Sequence, residues 1–402
     1  MHDLLPVLNQ VFPSASGYDT VASVVQANAE GHRLIFGEED VFLKQVEAPK
    51  YASKSWPDFR RTMMYLRTEV RFYNEIVPDL GQRGLSTPKI FKAHYDLDGL
   101  IGEGEKATDQ TREEPKNWSA EGKGGYIIME SITEPYFQTS PITLDQAKET
   151  LSAVADLHAS AWEDRSLLQK SEKLLSRGSY HLKTRNPKEL AGMKQAWENF
   201  SSHFGDLNPS LFERTKDMGE RIQRLAEYIS DEVSPGPNDQ FATLAHGDFK
   251  SMNCFLPKNG SESRGVVLVD FASTGVGLGM SDVAMHIHHA VRPVDLANGG
   301  EEELLDHYLQ TLEDRLATKN QSYPREVALR HYRLAVADYF RFFLGRFWKS
   351  ATPETFEKKK NSKNTALINR DVDAAIAFLD RVDRYVDQIE REKTGYQEEA
   401  DL

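Results

Sequence analysis

Residues 244–271 limit what this 402-residue chain can fold into more than any other stretch. Leu244-Ala245-His246-Gly247-Asp248-Phe249-Lys250-Ser251-Met252-Asn253-Cys254-Phe255-Leu256 sets an Asp and an Asn five positions apart between two short apolar runs. Gly265-Val266-Val267-Leu268-Val269-Asp270-Phe271 then ends a further apolar run on a second Asp. Such runs read as short strands, which hold the three polar side chains on a rigid frame. Side chains that merely cap turns need neither this spacing nor these flanking strands. Phosphoryl transfer from a nucleotide does need such a set: Asp248 to receive or orient an acceptor hydroxyl, and the Asn253 amide oxygen and Asp270 carboxylate to hold Mg²⁺ against donor phosphates.

The bulk chemistry narrows the partners. Charged residues are 28% of the chain and the formal net charge is −13, a balance that repels nucleic-acid backbones and anionic bilayers. Lys358-Lys359-Lys360 is an isolated run and reads as a solvated loop. One cysteine, Cys254, excludes an intramolecular disulfide and a cysteine zinc cage. Met1 to Gly17 lacks a basic flank followed by an apolar run, and no later stretch approaches the roughly 20 apolar residues of a membrane span. The expectation is a soluble cytoplasmic protein with no membrane insertion and no nucleic-acid partner, and Asn117-Trp118-Ser119 without a glycan.

The first third is strand-rich: Val21–Val25, His32–Phe36 and Val41–Val46 suit an antiparallel meander, with further strands at Ile90–Tyr95 and Tyr126–Glu130. Phe59, Met63, Leu66, Val70 and Tyr73 recur at helical spacing, predicting a helix over 57–76 that ends at Pro78. Asp96 to Gly125 is polar and reads as a long surface loop. After Pro135 the character turns helical. Thr143 with Gln146 forms a capping box for a helix to Trp162, and helical periodicity covers 209–233, 302–316, 326–348 and 371–391. The chain is thus an α+β fold, a small β-rich part followed by a large helical one that carries the Asp/Asn cluster, with the ligand site between them.

These segments resemble the protein-kinase-like phosphotransferases: aminoglycoside phosphotransferases, choline kinases and, most of all, ecdysteroid-kinase-like (CHK kinase-like) proteins. His246-Gly247-Asp248 with Asn253 is similar to the catalytic loop of that group and Val269-Asp270-Phe271 to its metal-binding segment. Thr68-Glu69-Val70-Arg71-Phe72-Tyr73-Asn74-Glu75-Ile76-Val77-Pro78 resembles a helix segment of the same group, and Ala155-Asp156-Leu157-His158-Ala159 with Trp162 another; together the likeness runs from about Val41 to Ile287. The resemblance implies a protein-kinase-like bilobal fold: a nucleotide-binding N-lobe over 1–132 and a helical C-lobe over 133–396 with the catalytic loop and acceptor site; the terminal residues 397–402 are expected to be a disordered tail. It implies ATP and Mg²⁺ as cofactors and the hydroxyl of a small molecule as acceptor. Lys44 would reach the α- and β-phosphates and pair with Glu69, backbone groups of Met129, Glu130, Ser131 and Ile132 would meet the adenine edge, and Asp282 would brace the catalytic loop.

The chain also departs from the pattern. Gln26-Ala27-Asn28-Ala29-Glu30-Gly31 holds one glycine before Lys44, so the contact that covers the phosphates is unassigned. Ala272 stands where protein kinases carry Gly, as in the small-molecule branch. Lys250 lies where many protein kinases place a Lys near the γ-phosphate and is a candidate catalytic residue beside Asp248. His94 to Glu105 mimics a calcium loop, but its first Asp is missing and an Asp-Gly turn at 98–99 is expected instead. His286, His288 and His289 are expected to be helix packing rather than a metal site. Two rival functions stay open: a non-catalytic nucleotide-binding module of the same fold, and a metal-dependent hydrolase built on that histidine cluster with Asp248 and Asp270. Trp162, Tyr339, Phe342 and Trp348 are compatible with a cationic or hydrophobic alcohol but are expected in the core. The acceptor itself and the oligomeric state are not legible.

Overall fold

The computed structural model describes residues 4–13, 16–25, 27–81, 85–106, 113–175, 182, 187–258 and 260–400. β1 (Asp19–Val25), β2 (Glu30–Phe36), β3 (Glu39–Glu47), β4 (Ile90–Asp96) and β5 (Gly124–Glu130) form one antiparallel sheet in the order β1-β2-β3-β5-β4. Alternation along β3 decides which face each side chain takes. Val41 and Leu43 are buried with Leu34, Tyr126 and Ile128 under Leu4 and Leu8 of the short N-terminal helix. Lys44, one position on, therefore points to the opposite face, towards the first long helix.

That helix, α1 (Trp56–Arg71), buries Phe59, Met63, Leu66 and Val70 as their spacing predicts. It runs past the expected stop, through a π-helical turn at Phe72–Ile76 and a last turn at Val77–Leu80, and ends at Gly81, whose φ is +58°. Pro78 sits in the opening positions of the last turn, where a missing N–H breaks no bond, so it does not end the helix. The 96–125 stretch holds no helix or strand between β4 and β5 among its described residues, yet Leu97, Leu100 and Ile101 are buried and Asp98-Gly99 makes the expected turn, with Gly99 at φ +78°. Arg60, Arg67 and Arg71 of α1 donate to backbone carbonyls of residues 102–106, which fixes this part of the loop against the helix.

The rest is mainly helical. α2 (Leu144–Ala161) opens on the Thr143/Gln146 capping box. α3 (Arg165–Leu174), capped by Asp164, and α4 (Met193–Phe204) were not anticipated. The 209–233 helix is broken into Pro209–Arg214 and α5 (Met218–Glu232), where the Thr215 hydroxyl turns back onto the Leu211 carbonyl. β7 (Thr243–Ala245) pairs with β10 (Gly275–Gly277), while β8 (Cys254–Pro257) lies between β6 (Tyr136–Phe137) and β9 (Val267–Leu268). α6 (Gly279–Ala290), α7 (Gly300–Leu316), α8 (Arg325–Arg346) and α9 (Val372–Ala400) complete the fold. Lys358 and Lys359 end a helical turn, Pro353–Lys359, rather than lying in a loop; Thr352 caps it. α9 takes in the expected tail except residues 401–402, which lie outside the described residues. Trp162, Tyr339, Phe342 and Trp348 are all in the core. Among the described residues no helix is long and apolar enough to cross a membrane.

Candidate active site

The two short ladders explain how the Asp/Asn motif is presented. β7–β10 and β8–β9 grip the ends of the loops 246–253 and 269–274, so the polar residues leave rigid, buried strands. Gly247 (φ +81°) makes the sharp turn; a Cβ there would stand 2.2 Å from the Ser273 carbonyl oxygen. Asp282, at the start of α6, accepts the backbone N–H groups of His246 (2.6 Å) and Gly247 (2.9 Å). The same carboxylate meets His158 Nε2 at 3.1 Å, and the other ring nitrogen of His158 meets the Tyr308 hydroxyl at 2.8 Å. Burial works to raise the Asp282 carboxyl, but the His158 contact, His246 and the Gly247 N–H hold it below the usual carboxylate range. Phe271 stacks on Phe72, the first residue of the π-helical turn after α1, at 4.2 Å between ring centroids and lies 4.7 Å from His246, joining the first helical segment to the loop.

On that frame Lys44 Nζ donates to Glu69 Oε2 at 2.6 Å and to Asp270 Oδ1 at 2.7 Å, bringing together residues 25 and 226 positions apart. Asp270 takes the left-handed conformation, φ +66°, which turns its carboxylate back towards the sheet. One ammonium thus faces two carboxylates. The Glu69 side chain is 2% exposed and that of Asp270 26%. Burial raises the Glu69 carboxyl and Lys44 only partly opposes it, leaving it pushed up to about 7. Burial acts on Asp270 too, but Lys44 and Lys250 both attract its charge and draw it down to about 2. Lys44 stays well above the ordinary lysine range because Asp270 and Glu69 outweigh its burial.

Beside them Lys250 Nζ donates to Asp248 Oδ2 at 3.0 Å, and Asp248 holds the Lys250 ammonium above its ordinary value against the effect of burial. Asn253 Nδ2 donates to the Asp248 carbonyl at 2.8 Å, which leaves its amide oxygen facing the other way. A cavity of about 460 Å³ is lined by Lys44, Glu69, Asp248, Lys250, Asn253 and Asp270 together with Asn28 and Asn364. A single carboxylate and one amide oxygen are too few for an all-protein metal cage. They suit a small hard cation that keeps waters and shares substrate phosphates, so the donor set fits Mg²⁺.

Met129 to Ile132 lie at and beyond the end of β5, outside the lining of this cavity. The Glu130 N–H donates to the Lys89 carbonyl and the Ser131 N–H to that of Asp40. Asn364, beyond the reach of any sequence signal, arrives 94 positions after Asp270 from the turn before α9. Asn28 lies in the segment noted for holding a single glycine; Gln26 of that segment is outside the described residues.

The histidines do not gather into a site. His286 stacks on Phe249 at 4.3 Å and meets the Thr150 hydroxyl at 2.7 Å, and His288 meets Tyr332 at 3.2 Å. Burial pushes His286 down to about 4, and His288 and His289 well below their ordinary value. No group of three or more His, Cys, Asp or Glu able to hold a metal occurs among the described residues.

The sequence model of the ecdysteroid kinase-like family matches residues 46–321. The chain belongs to the ecdysteroid kinase-like family. Its five-stranded antiparallel sheet followed by a mainly helical part is the protein-kinase-like bilobal α+β fold expected from the sequence. Solved structures similar to it include a microcompartment-associated aminopropanol kinase, 12% identical, covering 96% of this chain and 98% of its own, with a TM-score of 0.47. An amicoumacin kinase in complex with AMP-PNP and Ca²⁺ is 11% identical over 95% of this chain and 94% of its own, TM-score 0.49. A choline kinase from Streptococcus pneumoniae is 11% identical over 96% and 98%, TM-score 0.41. No curated protein sequence matches it.

Proposed function

We propose that the protein is an ATP- and Mg²⁺-dependent kinase that transfers the γ-phosphoryl group to a hydroxyl of a small molecule. The observation that carries this reading is the Lys44 ammonium bridging Glu69 and Asp270, on one cavity wall with Asp248, Lys250 and Asn253. Bound Mg²⁺–ATP would supply the transferable group and most of the charge neutralisation. Asp270 and the Asn253 oxygen hold the metal. Lys44, kept charged by its two carboxylates, aligns the α- and β-phosphates, and Glu69 fixes the direction of its side chain. Asp248 accepts the hydrogen bond of the acceptor hydroxyl and keeps that oxygen in line with the γ-phosphorus, and Lys250 meets the charge of the transferring group. Residues 1–132 form the nucleotide lobe in this scheme and 133–396 the lobe that takes the acceptor, between the catalytic loop and the helices after Asp282. Because the N–H groups of Glu130 and Ser131 are already engaged, the adenine edge is assigned to Ile132 as donor within the 129–132 stretch.

The test is ATP consumption against a panel of amino alcohols, sugars, sterol-like alcohols and aminoglycosides, with nucleotide affinity measured in parallel for the parent and Asp248→Asn. The variant keeps Asn253 and Asp270, so its nucleotide affinity should stay near the parent's while turnover falls about 10²–10⁴-fold, the usual contribution of a positioned acid or base. Equal turnover in both sinks the catalytic-loop assignment. Nucleotide binding by the parent with no turnover on any alcohol returns the protein to the binding-module reading.

A further inference from the structure

The turn between β1 and β2 closes over the cavity, since Ala27, Asn28 and Ala29 are all part of its lining. A turn that covers phosphates commonly brings backbone N–H groups close through glycines. Here the one glycine of the segment has another use. A Cβ on Gly31 would meet the tip of the Phe42 ring at 2.4 Å, so Gly31 makes room for Phe42 where β2 packs on β3.

In place of glycines the turn has a polar latch. Lys54, just before α1, directs its ammonium to the Ala27 carbonyl at 2.7 Å, to Asn28 Oδ1 at 3.0 Å and to the Thr62 hydroxyl at 3.0 Å. An ammonium has three donors and no acceptor, so the Asn28 atom facing it is the carbonyl oxygen. Thr62 Oγ1, buried on α1, lies 2.9 Å from the same oxygen. Neither Lys54 nor Thr62 is among the residues that line the cavity, whereas Asn28 is. The oxygen of the Asn28 amide is therefore held by Lys54 and Thr62, which leaves the NH₂ group as the donor end of a side chain that lines the cavity.

We propose that Lys54 is a positioning residue that pins the β1–β2 turn to the start of α1 and turns the Asn28 side-chain amide inward as a hydrogen-bond donor to the phosphates of the nucleotide. This rests on the phosphotransferase reading. The side-chain donor does what backbone N–H groups do in a glycine-rich turn, and Lys54 supplies the order such a turn lacks by itself. The latch also ties the turn to the helix that carries Glu69.

Calorimetric binding of adenosine, ADP and AMP-PNP to the parent, Lys54→Met, Asn28→Ala and the double variant tests this. Lys54→Met keeps an unbranched side chain one atom shorter and loses its donors; Asn28→Ala alters a residue of the turn and leaves the core untouched. Each single variant should bind adenosine within about twofold of the parent and bind ADP and AMP-PNP roughly 10–100-fold more weakly, the range for a hydrogen bond to a charged group. In the Asn28→Ala background the further loss from Lys54→Met should be small, because Lys54 acts through Asn28. Unchanged ADP affinity in Lys54→Met, losses equal for adenosine and AMP-PNP, or fully additive losses in the double variant overturn the latch. A parent that binds no adenine nucleotide overturns the phosphotransferase reading instead.

Discussion

Replacing Glu69 by Gln tests the charge balance around Lys44 through stability, independently of activity. Two carboxylates share one ammonium, and the more deeply buried of them, Glu69, carries the proton affinity. Its folded-state value of about 7 stands above its ordinary 4.5, with burial as the main cause and Lys44 opposing it. The folded state therefore binds this proton more tightly than the unfolded chain. Stability from Glu69 is fully present below about pH 4.5 and is lost as pH rises through 7. At 1.36 kcal/mol for each tenfold change in proton affinity, the loss reaches about 3 kcal/mol by pH 8. Gln does not titrate, keeps an oxygen for Lys44 and nearly matches Glu in shape. Glu69 Oε1 has no hydrogen-bond partner among the described residues, so the Gln NH₂ placed there adds a cost of about 1–3 kcal/mol that does not vary with pH. The signature is thus the pH dependence of the difference. Urea unfolding of parent and Glu69→Gln between pH 4.5 and 8.5 should show the variant gaining about 3 kcal/mol on the parent across that range. A difference that stays flat means that Lys44 keeps Glu69 ionised throughout, and the argument from unequal burial fails.

Three further outcomes are expected. Gly247→Ala forces a left-handed alanine against the Ser273 carbonyl and should cost at least about 2 kcal/mol in urea unfolding; a loss under about 0.5 kcal/mol means that the turn can relax. Asp282→Asn can accept only one of the two N–H groups of His246 and Gly247 and turns a donor on the other. It should lower stability by about 2–3 kcal/mol in the same assay, and a melting temperature equal to the parent's would refute the bracing role. Burial holds His286 at about 4 against an ordinary 6.5, so the folded state binds its proton more weakly and stability falls as pH drops from 6.5 towards 4, by about 3 kcal/mol. His286→Gln should flatten that part of the parent's pH profile, and an unaltered acid limb would place the lability elsewhere.

The sequence alone carried the strands of the first sheet, the first long helix and the residues of the Asp/Asn motif, though not α3 or α4. Alternation along β3 and helical spacing in α1 are local signals, since each residue's face follows from backbone period alone. The Asp248, Asn253 and Asp270 triad was legible for a similar reason: its spacing and flanking apolar runs lie within one short stretch. The Thr143/Gln146 capping box is local too, and it formed as read. Errors fell where local signals compete. Pro78 reads as a stop unless a new helical turn opens at that point, and the Thr215 break is invisible to a hydrophobic period that continues across it.

Tertiary structure alone decided the electrostatics and the membership of the cavity. No spacing rule links Lys44 to Asp270, Lys54 to Asn28, or Asn364 to either, because these contacts close long loops whose ends meet only when the sheet, α1 and the 246–253 loop pack around one core. Nor could the sequence rank two acidic residues by burial. Asp270 becomes the strong acid of the site because Lys44 and Lys250 both attract its charge, and Glu69 the weak one because Lys44 alone opposes its burial; both outcomes depend on depth and distance rather than on residue type.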